Sequence, residues 1–156
     1  MPTPFESAQL NLQLFDMRRE PELRAARSWF ITEFHPDNAE AFFSTMVTDK
    51  HSWVRMVMGY WDMAASMVVF GAIDRDMFLA AHGEIFGTFC KVHPFLADIR
   101  ARMSPAVLKH VEAVVMASPD AEAELAKRRA RLKGMWDARQ AAAEARAQAA
   151  ATAATA

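Results

Sequence analysis

Apolar residues along this chain recur at helical spacing, and the residues between the apolar runs are those that start and stop helices. Thr3-Pro4 reads as an N-cap with proline at the first helical position, opening a helix towards Met17. Pro21 opens a second, PELRAARSWFITEF, with Leu23, Arg27, Phe30 and Phe34 at helical spacing; it stops at His35, because a residue before proline disfavours the α region. Asp37 with Glu40 has the form of a capping box for a short third helix. The fourth helix, about Asp49 to Phe70, is apolar nearly all round, as expected of the central helix in a bundle. Its less apolar positions Ser52, Arg55, Gly59, Asp62 and Ser66 are separated by 3, 4, 3 and 4 residues and form one narrow stripe.

Gly71 suits the left-handed position that ends a helix, and Asp74 the N-cap of the next. Ile73 and Phe78 have the spacing of a hydrophobic staple. A fifth helix is predicted from Arg75 to about Val92, antiparallel to the fourth across a short connection. His93-Pro94 interrupts it ahead of a further helical segment, PFLADIRARM. Ser104-Pro105 and Ser118-Pro119 repeat the serine-cap and proline device, opening PAVLKHVEAVVMA and a long last helix. Strand signals are missing: glycine is scarce and neither Asn-Gly nor Asp-Gly occurs.

The expected fold is therefore all-α, a compact bundle of six to eight helices around the antiparallel pair Asp49–Phe70 and Arg75–Val92. Residues 1–118 form its core domain and 119–140 a C-terminal helix packed on that core. Residues 141–156 contain 11 alanines and read as a fraying or disordered tail, since alanine favours helix but offers little bulk for a core.

Composition narrows the class. The 156 residues are 53% hydrophobic and 24% charged, enough to bury a core without metal or disulfide support. The net charge of −1 points to neither nucleic acid nor an anionic membrane surface. Basic character concentrates late: residues 119–156 carry 7 Lys and Arg against 5 acids, whereas residues 1–118 carry 11 against 14. The longest run free of Asp, Glu, Lys, Arg and His is Met63 to Ile73, well short of the roughly 18 residues of a spanning helix. The N-terminal stretch lacks the basic and apolar regions of a signal peptide, so a cytoplasmic setting is the expectation. One cysteine, Cys90, excludes an intrachain disulfide and reads as a small buried hydrophobe.

Motif chemistry is sparse. Neither H-E-x-x-H nor E-x-x-H occurs, nor G-x-S-x-G, nor a phosphate-binding glycine loop, so no catalytic residue, metal ligand or cofactor is assigned. His82 and Glu84 would lie about 200° apart on a continuous helix and could not share one ion. Arg55 and Asp62, with His82, are candidates for a buried polar or ligand-facing site, because a charge buried in a central helix needs a partner. Arg100 or Glu84 could supply that partner, and a solvent-facing stripe is the alternative. Trp61, Met63, Met67, Phe78, Phe86 and Phe89 could line an apolar pocket with His82, although ordinary core is the better explanation of them. The basic run Lys127 to Lys133 reads first as a solvated helix face, with nucleic-acid contact as a weaker alternative.

From Val57 to Arg102 the chain resembles small bacterial helical proteins classed as a domain of unknown function. The likeness rests on Tyr60, Trp61 and Asp62, then Gly71, Ile73 and Asp74, then Pro94 and Arg100. It implies an all-α fold and supplies no activity. Some proteins of that kind carry a membrane helix near the N-terminus, and no apolar run of that length occurs in this sequence.

The leading functional expectation is a non-catalytic module that self-associates or docks a protein partner through exposed apolar surface. A helical bundle binding a small apolar ligand or lipid is the alternative, and a nucleic-acid adaptor using Lys127–Lys133 stands third.

Overall fold

A computed structural model describes residues 2–154, and every regular element among them is helical. The order is α1 (Pro4–Met17), α2 (Pro21–Thr32), α3 (Ala39–Thr45), α4 (His51–Val69), α5 (Arg75–Ala81) and α6 (Glu84–Phe89). A 3₁₀ turn (His93–Phe95) leads into α7 (Leu96–Arg102), followed by α8 (Lys109–Val115) and α9 (Ala121–Ala154). No helix among the described residues is long and apolar enough to cross a membrane.

Local chemistry accounts for most boundaries. Thr3 closes a capping box with Glu6 at the start of α1. The third helix is capped by Asn38, not by Asp37: the Asn38 side chain accepts the Ala41 N–H at 2.9 Å. At the end of α4, Gly71 adopts φ +75, its N–H donates to Val68 O, and the Ala72 N–H donates to Met67 O. That pair of bonds is a Schellman motif, open to glycine because it lacks a Cβ. Asp74 then accepts the Met77 N–H at 2.8 Å and opens α5.

Helix α4 is the spine. Val54, Val57, Met58, Tyr60, Trp61, Ala64 and Ala65 are buried along it. Its principal neighbours are α8 and α2, not the segment after Gly71 that the sequence suggested as its antiparallel partner. The reason is that residues 75–92 are not one helix. The chain breaks at His82, whose φ −122 and ψ 40 are non-helical, and restarts at Gly83. Two short helices result, and the second packs on α8 and α9.

Both serine-proline signals also resolve differently. Ser104 does not cap an α-helix; its hydroxyl accepts the Ala106 N–H at 3.2 Å in a turn that delays α8 until Lys109. Leu108, at φ 53, is the only described non-glycine residue with positive φ and reorients the chain there. Ser118 turns its hydroxyl to the Arg75 guanidinium at 3.2 Å, and α9 starts at Ala121.

Helix α9 seats Ala121 and Leu125 in the core and reaches α6 and α2. Residues 141–154, read from the sequence as a fraying or disordered tail, continue it as helix, in keeping with alanine's propensity. Met1, Thr155 and Ala156, the ends of the expected core domain and tail, lie outside the described residues.

Replacing Gly71 by alanine should lower stability by about 1 kcal/mol, the cost of placing a Cβ in the left-handed region. Urea denaturation of Gly71→Ala beside the parent checks this; equal midpoints would contradict the turn geometry.

Candidate functional site

Beside Trp61 three helices share charge. Arg18 caps the C-terminus of α1, Arg27 lies in α2, and Glu84 stands in the first turn of α6. Arg18 Nη2 donates to Glu84 Oε2 at 3.1 Å, and Arg27 Nε donates to Oε1 at 2.8 Å. A second bond from Arg27 Nη2 to Oε2 makes that pair bidentate, the geometry that suits a guanidinium best. Arg27 Nη1 also donates to the Arg18 carbonyl at 3.0 Å, tying α2 to the end of α1. The Arg18 guanidinium lies 5.2 Å from the Trp61 ring.

His82 joins this cluster from complete burial. Its Nδ1 lies 3.3 Å from Arg18 Nη1, and its Nε2 lies 3.1 Å from Asn11 Oδ1. Arginine can only donate, so Nδ1 accepts, and Nε2 carries the proton given to Asn11. The ring is thus held neutral. Burial, reinforced by the charges of Arg18 and Arg27, pushes its pKa down to about 4. The helix break at His82 and Gly83 is what lets His82 and Glu84 reach the same arginine. Nearby, the Tyr60 hydroxyl donates to Leu14 O at 2.7 Å, and burial pushes its pKa up to about 12.

Asp62 has a separate task. Its Oδ1 accepts the N–H groups of His110 and Val111 at 2.9 and 3.1 Å, and its Oδ2 lies 2.9 Å from His110 Nδ1. Those amides are the second and third of α8, so a carboxylate on α4 caps a helix 48 residues further along the chain. Arg55 does not pair with it, and neither do Arg100 and Glu84: Arg100 binds Glu112 at 2.7 Å, and Glu84 holds the two arginines. Arg55 is exposed and stands with Asp62 along one surface cleft between α4 and the 103–108 turn.

The apolar candidates separate from the polar ones. Trp61, Phe78 and Phe89 are completely buried members of the core, and Met63, Met67 and Phe86 pack against it. The basic run is divided as well: Arg129 turns inward and donates to Lys91 O at 2.6 Å and Pro36 O at 2.7 Å, and Lys133 pairs with Asp137 at 2.9 Å. Cys90 is buried, its Sγ donating to Gly87 O, and burial raises its pKa to about 11. Among the described residues, no group of three or more His, Cys, Asp or Glu could hold a metal ion.

Two features escaped the sequence reading. Lys91 is buried with no carboxylate partner among the described residues; its Nζ donates to Ile31 O and Phe34 O at the end of α2, and burial lowers its pKa to about 7. Helix α1, in turn, faces inward with its polar stripe. Ser7, Asn11 and Leu14 are buried, and the Ser7 hydroxyl accepts the Asp74 N–H at 3.1 Å. Phe5, Leu12 and Phe15 consequently face solvent at 70%, 70% and 51% exposure. The signal was present: Ser7, Asn11, Leu14 and Arg18 fall 4, 3 and 4 residues apart.

An all-helical domain cross-braced by an internal charge cluster is the class these features define. The chain belongs to the family described as Domain of unknown function (DUF4760), which matches residues 4–118, from the first residue of α1 to the turn before α9. No curated protein and no solved structure matches it.

Glu84→Gln should cost about 3 kcal/mol, because it leaves two half-buried guanidiniums without their counter-charge. Chemical denaturation tests this, with the exposed Glu22→Gln as a control expected to stay within about 0.5 kcal/mol. The depressed His82 pKa sets a pH dependence. Between pH 6.5 and about 4 the unfolded chain binds a proton that the folded chain refuses. Stability is therefore full above pH 6.5, declines as pH falls to about 4 and then levels. His35, lowered to about 4 by burial and by the Lys91 charge, acts in the same direction. His82→Gln should flatten part of this decline in melting curves recorded across that range, and an unchanged slope would contradict the assignment.

Proposed function

We propose that this domain is a non-catalytic interaction module that self-associates through the outward face of α1. The observation that carries the reading is the apolar row that this helix leaves in solvent while Ser7 and Asn11 are buried. Three of the nine large hydrophobic residues exposed among the described residues, Phe5, Leu12 and Phe15, share one face of this helix, and Met17 stands exposed on another side of it. Single exposed apolar residues are ordinary, but a row at helical spacing marks an interaction surface.

A second copy of the chain suits the face because the row is complementary to itself. Phe5, Ala8, Leu12 and Phe15 are spaced 3, 4 and 3 residues apart. Two α1 helices packed antiparallel would set Phe5 against the partner's Phe15, and Ala8 against the partner's Leu12. Small residues then meet large ones, as close helix packing requires. Within this reading, residues 1–118 serve as the associating core, 119–140 as a helix packed on it, and 141–156 as an extension outside it.

Sedimentation velocity across a wide concentration range tests the proposal. The parent should shift from monomer to dimer as concentration rises, and Leu12→Glu or Phe15→Glu should stay monomeric with unchanged helical content. A parent monomeric at all concentrations, or a dimer indifferent to both substitutions, would overturn it.

A further inference from the structure

A second surface has the makings of a ligand site. Between α3, α4 and the turn joining α7 to α8 lies an open cleft of about 240 Å³. Its floor is apolar and fixed: Phe42, Val54, Met58 and Leu108 are buried core residues. Its rim carries two further methionines, Met46 and Met103, whose flexible thioethers adapt to irregular shapes. The turn is braced from behind, because Arg100 donates to Val107 O at 3.0 Å and to Glu112. Over Gly59 the cleft is empty: a Cβ built there would meet nothing within 4 Å.

The charges at this cleft are unequal in their commitments. Asp62 spends both oxygens on the start of α8 and on His110. Arg55 is exposed, and no hydrogen bond or ion pair engages its guanidinium among the described residues. A free guanidinium beside an apolar floor is complementary to an anion with an apolar body, and its planar fork matches a carboxylate. The volume lies below the roughly 300–1,000 Å³ of drug-sized sites, which restricts the occupant to a small molecule.

We propose that this cleft binds a small amphipathic monocarboxylate, its chain or ring on Phe42, Met58 and Leu108 and its carboxylate on Arg55. The site uses no residue of α1 and stands or falls separately from self-association.

Octanoate is the probe, followed by methionine-methyl NMR of the full chain, with octanol and octylamine as uncharged and cationic comparisons. Octanoate should shift the methyl signals of Met46, Met58 and Met103 saturably, and the two comparison ligands should bind about tenfold more weakly or worse. Arg55→Met should weaken octanoate about tenfold. Gly59→Leu should abolish binding by filling the cleft while retaining the fold, since leucine favours helix and its Cβ meets no neighbour. The proposal is overturned if octanoate produces no saturable shift, if octanol or octylamine binds as well, or if binding survives Gly59→Leu.

Discussion

The Glu84 carboxylate is the point through which the first third of the chain is joined to its middle. It receives Arg18 from the end of α1 and Arg27 from α2, partners 66 and 57 residues away. Half-buried, it converts two cations that would otherwise repel into a single brace. The arrangement dictates backbone elsewhere. For His82 to meet Arg18 while Glu84 does so as well, the helix between residues 75 and 92 has to break. Once broken, its second half is free to pack on α8 and α9.

This explains which parts of the fold could be read from sequence. Gly71 and Asp74 act on their own neighbours within a few residues, so their spacing carried the message. The all-helical class followed in the same way, from periodicity and the absence of turn-and-strand signals. The His82 break had a local signal in Gly83, but the partners that hold His82 there, Arg18 and Asn11, lie in no local window. The two serine-proline pairs failed for a related reason. A hydroxyl able to cap a helix can equally accept from a neighbouring turn or from Arg75, and only packing decides between them.

Of the polar candidates Arg55, Asp62 and His82, the last joins Arg18 and Asn11 away from the other two. Arg55 and Asp62 stood out as charges on an otherwise apolar helix, and both do face one cleft. Their different roles were hidden because Asp62 is satisfied by amides from residues 110 and 111. Of the apolar residues offered as a pocket, Trp61, Phe78 and Phe89 are buried in the core, and Met63, Met67 and Phe86 pack against it. Helix α1 shows the converse. Phe5, Leu12 and Phe15 would be assigned inward by hydrophobicity alone, yet Ser7 and Asn11 have specific partners inside and share that face with Leu14.

The remote cap supplied by Asp62 bears on the order of folding. Helix α8 has only seven residues, begins after a left-handed leucine and has no capping side chain of its own at its start. So short a helix is unstable alone, because nucleation fixes several residues for few hydrogen bonds. Its missing amide partners arrive only when α4 is already formed and the intervening 48-residue loop has closed. Helix α8 should therefore assemble late, on the surface of α4 as a template.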